Sequence, residues 1–258
     1  MLSETHANEP VSRQDDEYWF PYHYVTQYGG AGFREHFIDS WGLNYVSTIE
    51  LLLRKLSKLK PLTVVDIGCG DGRLTREINT NLSPGRVVGV DYSERAINLA
   101  KAMNQDVEGI EFYSEDITVS GDCLGEFDVA VLMEVFEHIP LDLAKEFMES
   151  VHALIKPGGS LLLTVPHSNK PVEYKHFQHF TVDKLLGYLK KDFEIVKVVP
   201  FERRGVRRRV LNMLLSNKLF ILNNKMLLDA LYNWHKSSLF DCDHEKHCQR
   251  IFVHAKAK

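Results

Sequence analysis

The chain has 258 residues, 44% of them hydrophobic and 26% charged, with a formal net charge of −4 at pH 7. This ordinary globular usage excludes a wholly disordered chain and one dominated by membrane spans, and the negative balance disfavours a general nucleic-acid binder. Four scattered cysteines, and a start without an apolar core behind positive charge, lead us to expect a reduced, cytoplasmic protein that can still touch a membrane from its surface.

Residues 1–60 are expected to form an N-terminal arm. After a polar start, Tyr18, Trp19, Phe20, Tyr22, Tyr24, Tyr28, Phe33, Phe37 and Trp41 crowd together, interrupted by Gly29, Gly30 and Gly32. Such a segment either packs on the core or covers a ligand. Val46, Ile49, Leu53 and Leu56 share one stripe of a helix over 43–59, closed by Pro61. Leu62 to Ile67 reads as a short buried strand that delivers Asp66, Gly68, Gly70 and Gly72 into a tight turn. The helix beyond it, with Leu74, Ile78 and Leu82 every four residues, starts at Asp71 or Gly72. A second strand covers 86–91, and Ser93 caps a helix burying Ala96, Ile97, Ala100 and Met103. A third strand at 110–113 leads to Glu115, Asp116 and Ile117, and the continuous apolar run FDVAVLM at 127–133 suits a strand covered on both faces.

Pro140 stands where a first helical turn should begin, and Ala144, Phe147, Met148, Val151 and Leu154 carry the helical period to Lys156-Pro157-Gly158-Gly159, which should end it. A fifth strand at 160–165, a helix at 181–189 and a sixth strand at 193–199 complete the alternation over 61–199. The fold class is therefore α/β, a doubly wound and mostly parallel seven-stranded sheet. Residues 200–248 break the pattern with Arg203, Arg204, Arg207, Arg208 and Arg209 and two apolar stretches, and read as a helical insertion. Residues 249–258 alternate as the last strand, which after an insertion can close the sheet antiparallel.

The glycines follow a Gly-x-Gly-x-Gly spacing, with Arg73 where a dinucleotide pattern would want its third glycine. Asp91 stands 25 residues after Asp66, at the end of the second strand, where an acid can accept from both hydroxyls of a ribose. The series VVDIGCGDG, VVGVDYS, SEDI, FDVAVLMEVFEHIP and LIKPGGSLLLTVP, over about residues 60–166, resembles the class I S-adenosylmethionine-dependent methyltransferases. The resemblance implies S-adenosylmethionine as cofactor. It also implies that Asp66 orients the turn and the methionyl amine, and that Gly68 and Gly70 let the cofactor lie against backbone. Asp91 would bind the ribose, Tyr92 cover the adenine, Asp116 accept from its amino group and Ile117 pack beside it. Backbone around Met133 and Glu134 would meet the methionyl end.

Glu134, Glu137 and His138 end the fourth strand, where the transferred methyl should point. Transfer to oxygen needs a base, and an imidazole suits that task, so His138 and Glu137 are the candidate catalytic residues. The same pair can instead orient the acceptor loop. His167, His176 and His179 follow in a long loop, where one or two can contact substrate. With the 134–138 stretch they also resemble the metal-dependent small-RNA 2′-O-methyltransferases, although no metal site is assigned. The two-pair spacing usual for zinc is absent from Cys242, His244, His247 and Cys248, which crowd into seven residues and are read as exposed loop. The expected function is methyl transfer to a small-molecule or lipid-linked acceptor, at oxygen. The alternatives are a catalytically silent cofactor-binding partner protein and a metal-dependent RNA 2′-O-methyltransferase. The five arginines form the positive face of the insertion or a peripheral contact with an anionic membrane.

Overall fold

The computed structural model describes residues 39–258 apart from 218 and 223 and the side chain of Asp122. Of the N-terminal arm expected over residues 1–60, the first 38, with every residue of the aromatic run but Trp41, lie outside them. The described chain opens on α1 (Ser40–Leu59), three residues earlier than its apolar stripe suggested, because the Asp39 side chain accepts from the Gly42 amide at 2.6 Å and caps the helix there.

Seven strands follow in one sheet: β1 (Thr63–Ile67), β2 (Arg86–Asp91), β3 (Ile110–Ser114), β4 (Phe127–Met133), β5 (Ile155–Pro166), β6 (Phe193–Arg203) and β7 (Cys248–Ala257). Their order across the sheet is β3-β2-β1-β4-β5-β7-β6. The first five are parallel to their neighbours, and β7 runs antiparallel between β5 and β6. The carboxyl ends of β1 to β6 therefore share one edge.

Strand period sorts the core. Val65 and Ile67 face the layer of α5 (Ala144–Ala153) and α6 (Val182–Leu189), while Val64 faces α1 and α2 (Arg73–Leu82). On the first layer Phe136 stacks on Phe180, with ring centroids 5.1 Å apart, and sits edge-on to Tyr188. The remaining crossovers are α3 (Glu94–Met103), capped by Ser93 as expected, and the one-turn α4 (Ile117–Ser120).

Three boundaries differ from the sequence reading. Residues 140–143 form a turn, with the Leu143 amide donating to Pro140, so α5 begins at Ala144. Residues 156–159 do not end that helix but bulge out of β5, where the register against β4 shifts, and Lys156 pairs with Asp128 at 2.7 Å. β6 continues to Arg203 and β7 starts at Cys248, which leaves 204–247 as the insertion. It holds α7 (Val206–Leu215) and α8 (Lys225–His235), packed with Leu43 of α1 around Leu211, Leu215, Leu228 and Leu239.

Candidate active site

A crevice of about 650 Å³ opens at the shared carboxyl edge, over the ends of β1, β2 and β4. Its walls include Gly68, Asp91, Tyr92, Asp116, Ile117, Glu134 and His138. Gly68 has φ of 70°, and a Cβ there would stand 2.6 Å from the Val135 side chain, so both conformation and space demand glycine. Gly70 also has positive φ, but it faces open space and is not part of the wall. Its amide donates to Asp91 Oδ2 at 3.1 Å, and the Ser93 amide donates to Oδ1 at 2.9 Å. Each Asp91 oxygen thus keeps one lone pair for a donor arriving from the crevice. Asp116 caps α4 by accepting from the Thr118 amide and hydroxyl, Ile117 is buried beneath it, and Tyr92 is exposed beside both. An acid at each strand end, an apolar floor and a backbone wall at glycine fit an adenosine-bearing ligand.

Asp66 and Met133 are not among the residues that line this crevice. Asp66 is buried behind the turn and accepts from Thr75 Oγ1 at 2.7 Å. Burial, with smaller contributions from Asp91 and Asp71, pushes its carboxyl up to about 7 against the Thr75 hydrogen bond. It braces the glycine turn from within. Met133 points to the α1–α2 side of the sheet, and the crevice wall at this level is formed by Glu134 and Val135.

After β4 the chain turns sharply. Glu134 adopts φ of 57° while its amide donates to Thr164, and Phe136–His138 make a 3₁₀ turn anchored by Phe136. The 167–180 loop is pinned over this turn, because the Phe177 amide donates to the Glu137 carbonyl. The loop brings His176 edge-on to His138, with centroids 4.6 Å apart. His138 Nδ1 lies 3.1 Å from the Lys175 carbonyl, so it carries the proton and leaves Nε2 with a lone pair. His179 Nδ1 likewise meets the Lys170 carbonyl at 2.9 Å, and its Nε2 then accepts from His176 Nδ1 at 2.8 Å. His176 Nε2 is left with a lone pair too. Burial and the neighbouring His138 lower His176 to about 4, which keeps it neutral at neutral pH.

Glu137 is buried beneath these rings and lies outside the crevice wall, whereas Glu134 is part of it. Among the described residues neither Glu137 oxygen has a hydrogen-bond partner, and burial together with the charge of Glu134 raises its carboxyl well above the ordinary range. Ligand atoms of Glu137, His138 and His176 lie within 4.8 Å of one another. His167 stands apart: it accepts from the Asn169 amide and is paired with Glu245 at 2.8 Å, tying the loop to the insertion. The Cys242–Cys248 stretch assembles no comparable group among the described residues. Its two cysteines are buried rather than exposed, Cys248 at the start of β7.

A buried network absent from the sequence reading reaches Glu134 from behind. Arg250 of β7 donates through Nε to Glu134 at 2.8 Å and also pairs with Glu202. Glu202, itself at φ of 60°, accepts from Arg208 Nη2 at 2.8 Å, and Arg208 Nη1 lies 3.1 Å from His235 Nδ1. The arginine run is therefore not one positive face. Arg208 is buried, Arg203 ends β6 and pairs with Asp243 at 2.6 Å, and Arg204, Arg207 and Arg209 remain exposed. The only sequence signal for Arg250 was a charge between apolar residues of an alternating strand.

The model of a methyltransferase domain matches residues 42–198. A ubiquinone biosynthesis O-methyltransferase of Coxiella burnetii is 34% identical over 113 residues, covering 43% of this chain and 46% of that protein. The protein-lysine N-methyltransferase efm4 of Schizosaccharomyces pombe is 32% identical over 147 residues, 50% of this chain and 60% of its own. The chain thus spans about half the length of the curated relatives it matches. The N-methyltransferase NodS of Bradyrhizobium japonicum WM9, solved with S-adenosyl-L-homocysteine, superposes with a TM-score of 0.58 at 14% identity, over 85% of this chain and 88% of that one. With the strand order, the glycine turn and the crevice at the carboxyl edge, these matches place the chain in the class I S-adenosylmethionine-dependent methyltransferases.

Proposed function

We propose that the enzyme methylates a phenolic hydroxyl of a small or lipid-linked acceptor, with His138 as general base. The observation that carries this reading is the His138 ring, held through Nδ1 by the Lys175 carbonyl so that its basic Nε2 is free at the crevice wall. A neutral imidazole is mismatched to an aliphatic alcohol but well suited to a phenol, whose pKa is about 10. S-adenosylmethionine, when bound, supplies the methyl group on a sulfonium. Asp91 and Asp116 hold its adenosine half, Gly68 gives backbone contact, and His138 Nε2 takes the proton that the acceptor hydroxyl loses. The relative that methylates oxygen supports the choice of atom, although another relative acts on lysine nitrogen. Four free cysteines suit a cytoplasmic setting, and the exposed arginines suit peripheral contact with an anionic membrane.

One observation favours a second reading, in which the base is replaced by a divalent metal. Glu137, His138 and His176 offer a carboxylate and two imidazole lone pairs within 4.8 Å of one another, and the Glu137 carboxylate has no hydrogen-bond partner among the described residues. A metal held there would polarise the acceptor oxygen. The deciding experiment is turnover with a phenolic acceptor, alongside calorimetry with S-adenosylhomocysteine. The base reading expects His138→Ala to lower kcat by about 10²–10⁴ without loss of affinity, and turnover to survive chelator. Turnover abolished by chelator, restored by zinc or manganese and lost in Glu137→Gln would establish the metal instead. Full activity of His138→Ala would overturn both.

A further inference from the structure

We propose that the α7–α8 hairpin is a docking surface for an anionic lipid bilayer. Two independent patterns meet there. Residues 203–228 contain seven arginines and lysines and no aspartate or glutamate, in a chain whose net charge is −4. Arg203, Arg208 and Lys225 pair with Asp243, Glu202 and Asp229, and Arg204, Arg207 and Arg209 are exposed without an ion pair among the described residues. The same stretch carries many of the most exposed large apolar side chains among the described residues: Val206 is 72% exposed, Met213 64%, Leu219 92%, Ile221 68% and Met226 83%.

The wheel of α7 shows that these are not scattered exceptions. Arg208, Leu211 and Leu215 form its buried stripe, against α1 and α8. At about 100° per residue, Val206, Val210 and Met213 fall within about 60° of one another on the opposite side. Arg209 lies about 40° to one flank of that stripe and Arg207 about 60° to the other. Both arginines are exposed and make no ion pair among the described residues. An apolar stripe edged by cations is the arrangement of a helix that lies in the headgroup plane, its apolar side chains entering the acyl boundary and its arginines meeting phosphates. A neutral surface would leave the arginines without counter-charge, so charge complementarity selects an anionic bilayer. No helix among the described residues is long and apolar enough to cross a membrane, so the contact is peripheral.

The position of the hairpin gives the contact a use. It leaves β6 at the carboxyl edge of the sheet, the edge on which the crevice opens, and Arg204 Nη1 donates to Asn169 of the histidine loop at 3.3 Å. Docking there brings a lipid-linked acceptor to the loop beside His138. This use rests on the proposed reaction, but the contact itself needs no turnover.

The test is co-sedimentation of the full chain with vesicles of phosphatidylglycerol and phosphatidylcholine, and with phosphatidylcholine alone. The expected result is binding to the anionic vesicles only, lost at high salt. Arg207→Glu with Arg209→Glu, and separately Leu219→Ser with Ile221→Ser, should each weaken binding about tenfold or more, since one arginine near such a surface contributes roughly fivefold. Affinity for S-adenosylhomocysteine should be unchanged, which shows that the variants are folded. Absence of binding to anionic vesicles at low salt overturns the proposal, as does binding that both variants leave intact. A dimer in sedimentation velocity that the same variants dissociate, with no vesicle binding, would assign the face to a second copy. Vesicle binding without turnover on any phenolic acceptor would leave the docking surface standing and remove the proposed reaction.

Discussion

Gly68 shows how one missing Cβ fixes the site. Its φ of 70° costs any other residue roughly 1 kcal/mol, and the Val135 side chain already occupies the place a Cβ would take. The contact joins the β1 turn to the β4 turn, the two ends between which the crevice opens. Gly68→Ala should therefore push Val135 away, destabilise the fold by about 1–3 kcal/mol and weaken S-adenosylhomocysteine by tenfold or more. Val135→Ala alone should have a small effect on affinity. The double variant should recover much of the lost stability, leaving the conformational cost. Denaturant titration of the four proteins measures the coupling. Strict additivity would show that the close approach contributes nothing beyond φ.

At the scale of elements, the insertion is joined to the sheet by charge as well as by leucines. Arg208 of α7 donates to His235 of α8, so His235 Nδ1 is an acceptor and the ring must stay neutral. Burial first, then the charges of Arg208 and Lys236, lowers its pKa to about 3. In the unfolded chain it titrates near 6.5. Below that value the unfolded state binds a proton that the folded state refuses, so stability is complete above pH 6.5 and falls with acid until the folded pKa is reached. Between pH 6.5 and 5 this group should remove about 1.6 kcal/mol. The difference in stability between the wild type and His235→Gln should shrink by that amount over the same interval, because groups common to both proteins, the raised Asp66 carboxyl among them, cancel in the difference. A difference independent of pH would mean that His235 can accept the proton in place.

For the whole molecule, what the sequence made legible divides along contact order. The strands, the Ser93 cap, the glycine turn and the strand-end Asp91 are encoded by neighbours within a few positions, so period and spacing reveal them, whereas Tyr92, Asp116 and Ile117 were named by the family resemblance and stand at the same crevice. The Arg250–Glu134 pair spans 116 residues and the His167–Glu245 pair 78, and no local pattern announces either. For the same reason the arginine run read as one face until β6 and α7 separated its members. Ligand binding tests whether the locally encoded turn and strand ends act together. A ligand that binds only the folded state at a hundred times its Kd stabilises by about 2.7 kcal/mol. For a chain of this size each kcal/mol raises Tm by about 2–4 °C, so saturating S-adenosylhomocysteine should raise it by about 5–10 °C. Asp91→Asn keeps one oxygen as an acceptor but presents an amide to the Gly70 N–H and to the ribose. It should abolish most of the shift while lowering the ligand-free Tm by only a few degrees. Scanning fluorimetry of both proteins reads this directly, and a full shift in Asp91→Asn would take the ribose contact away from β2.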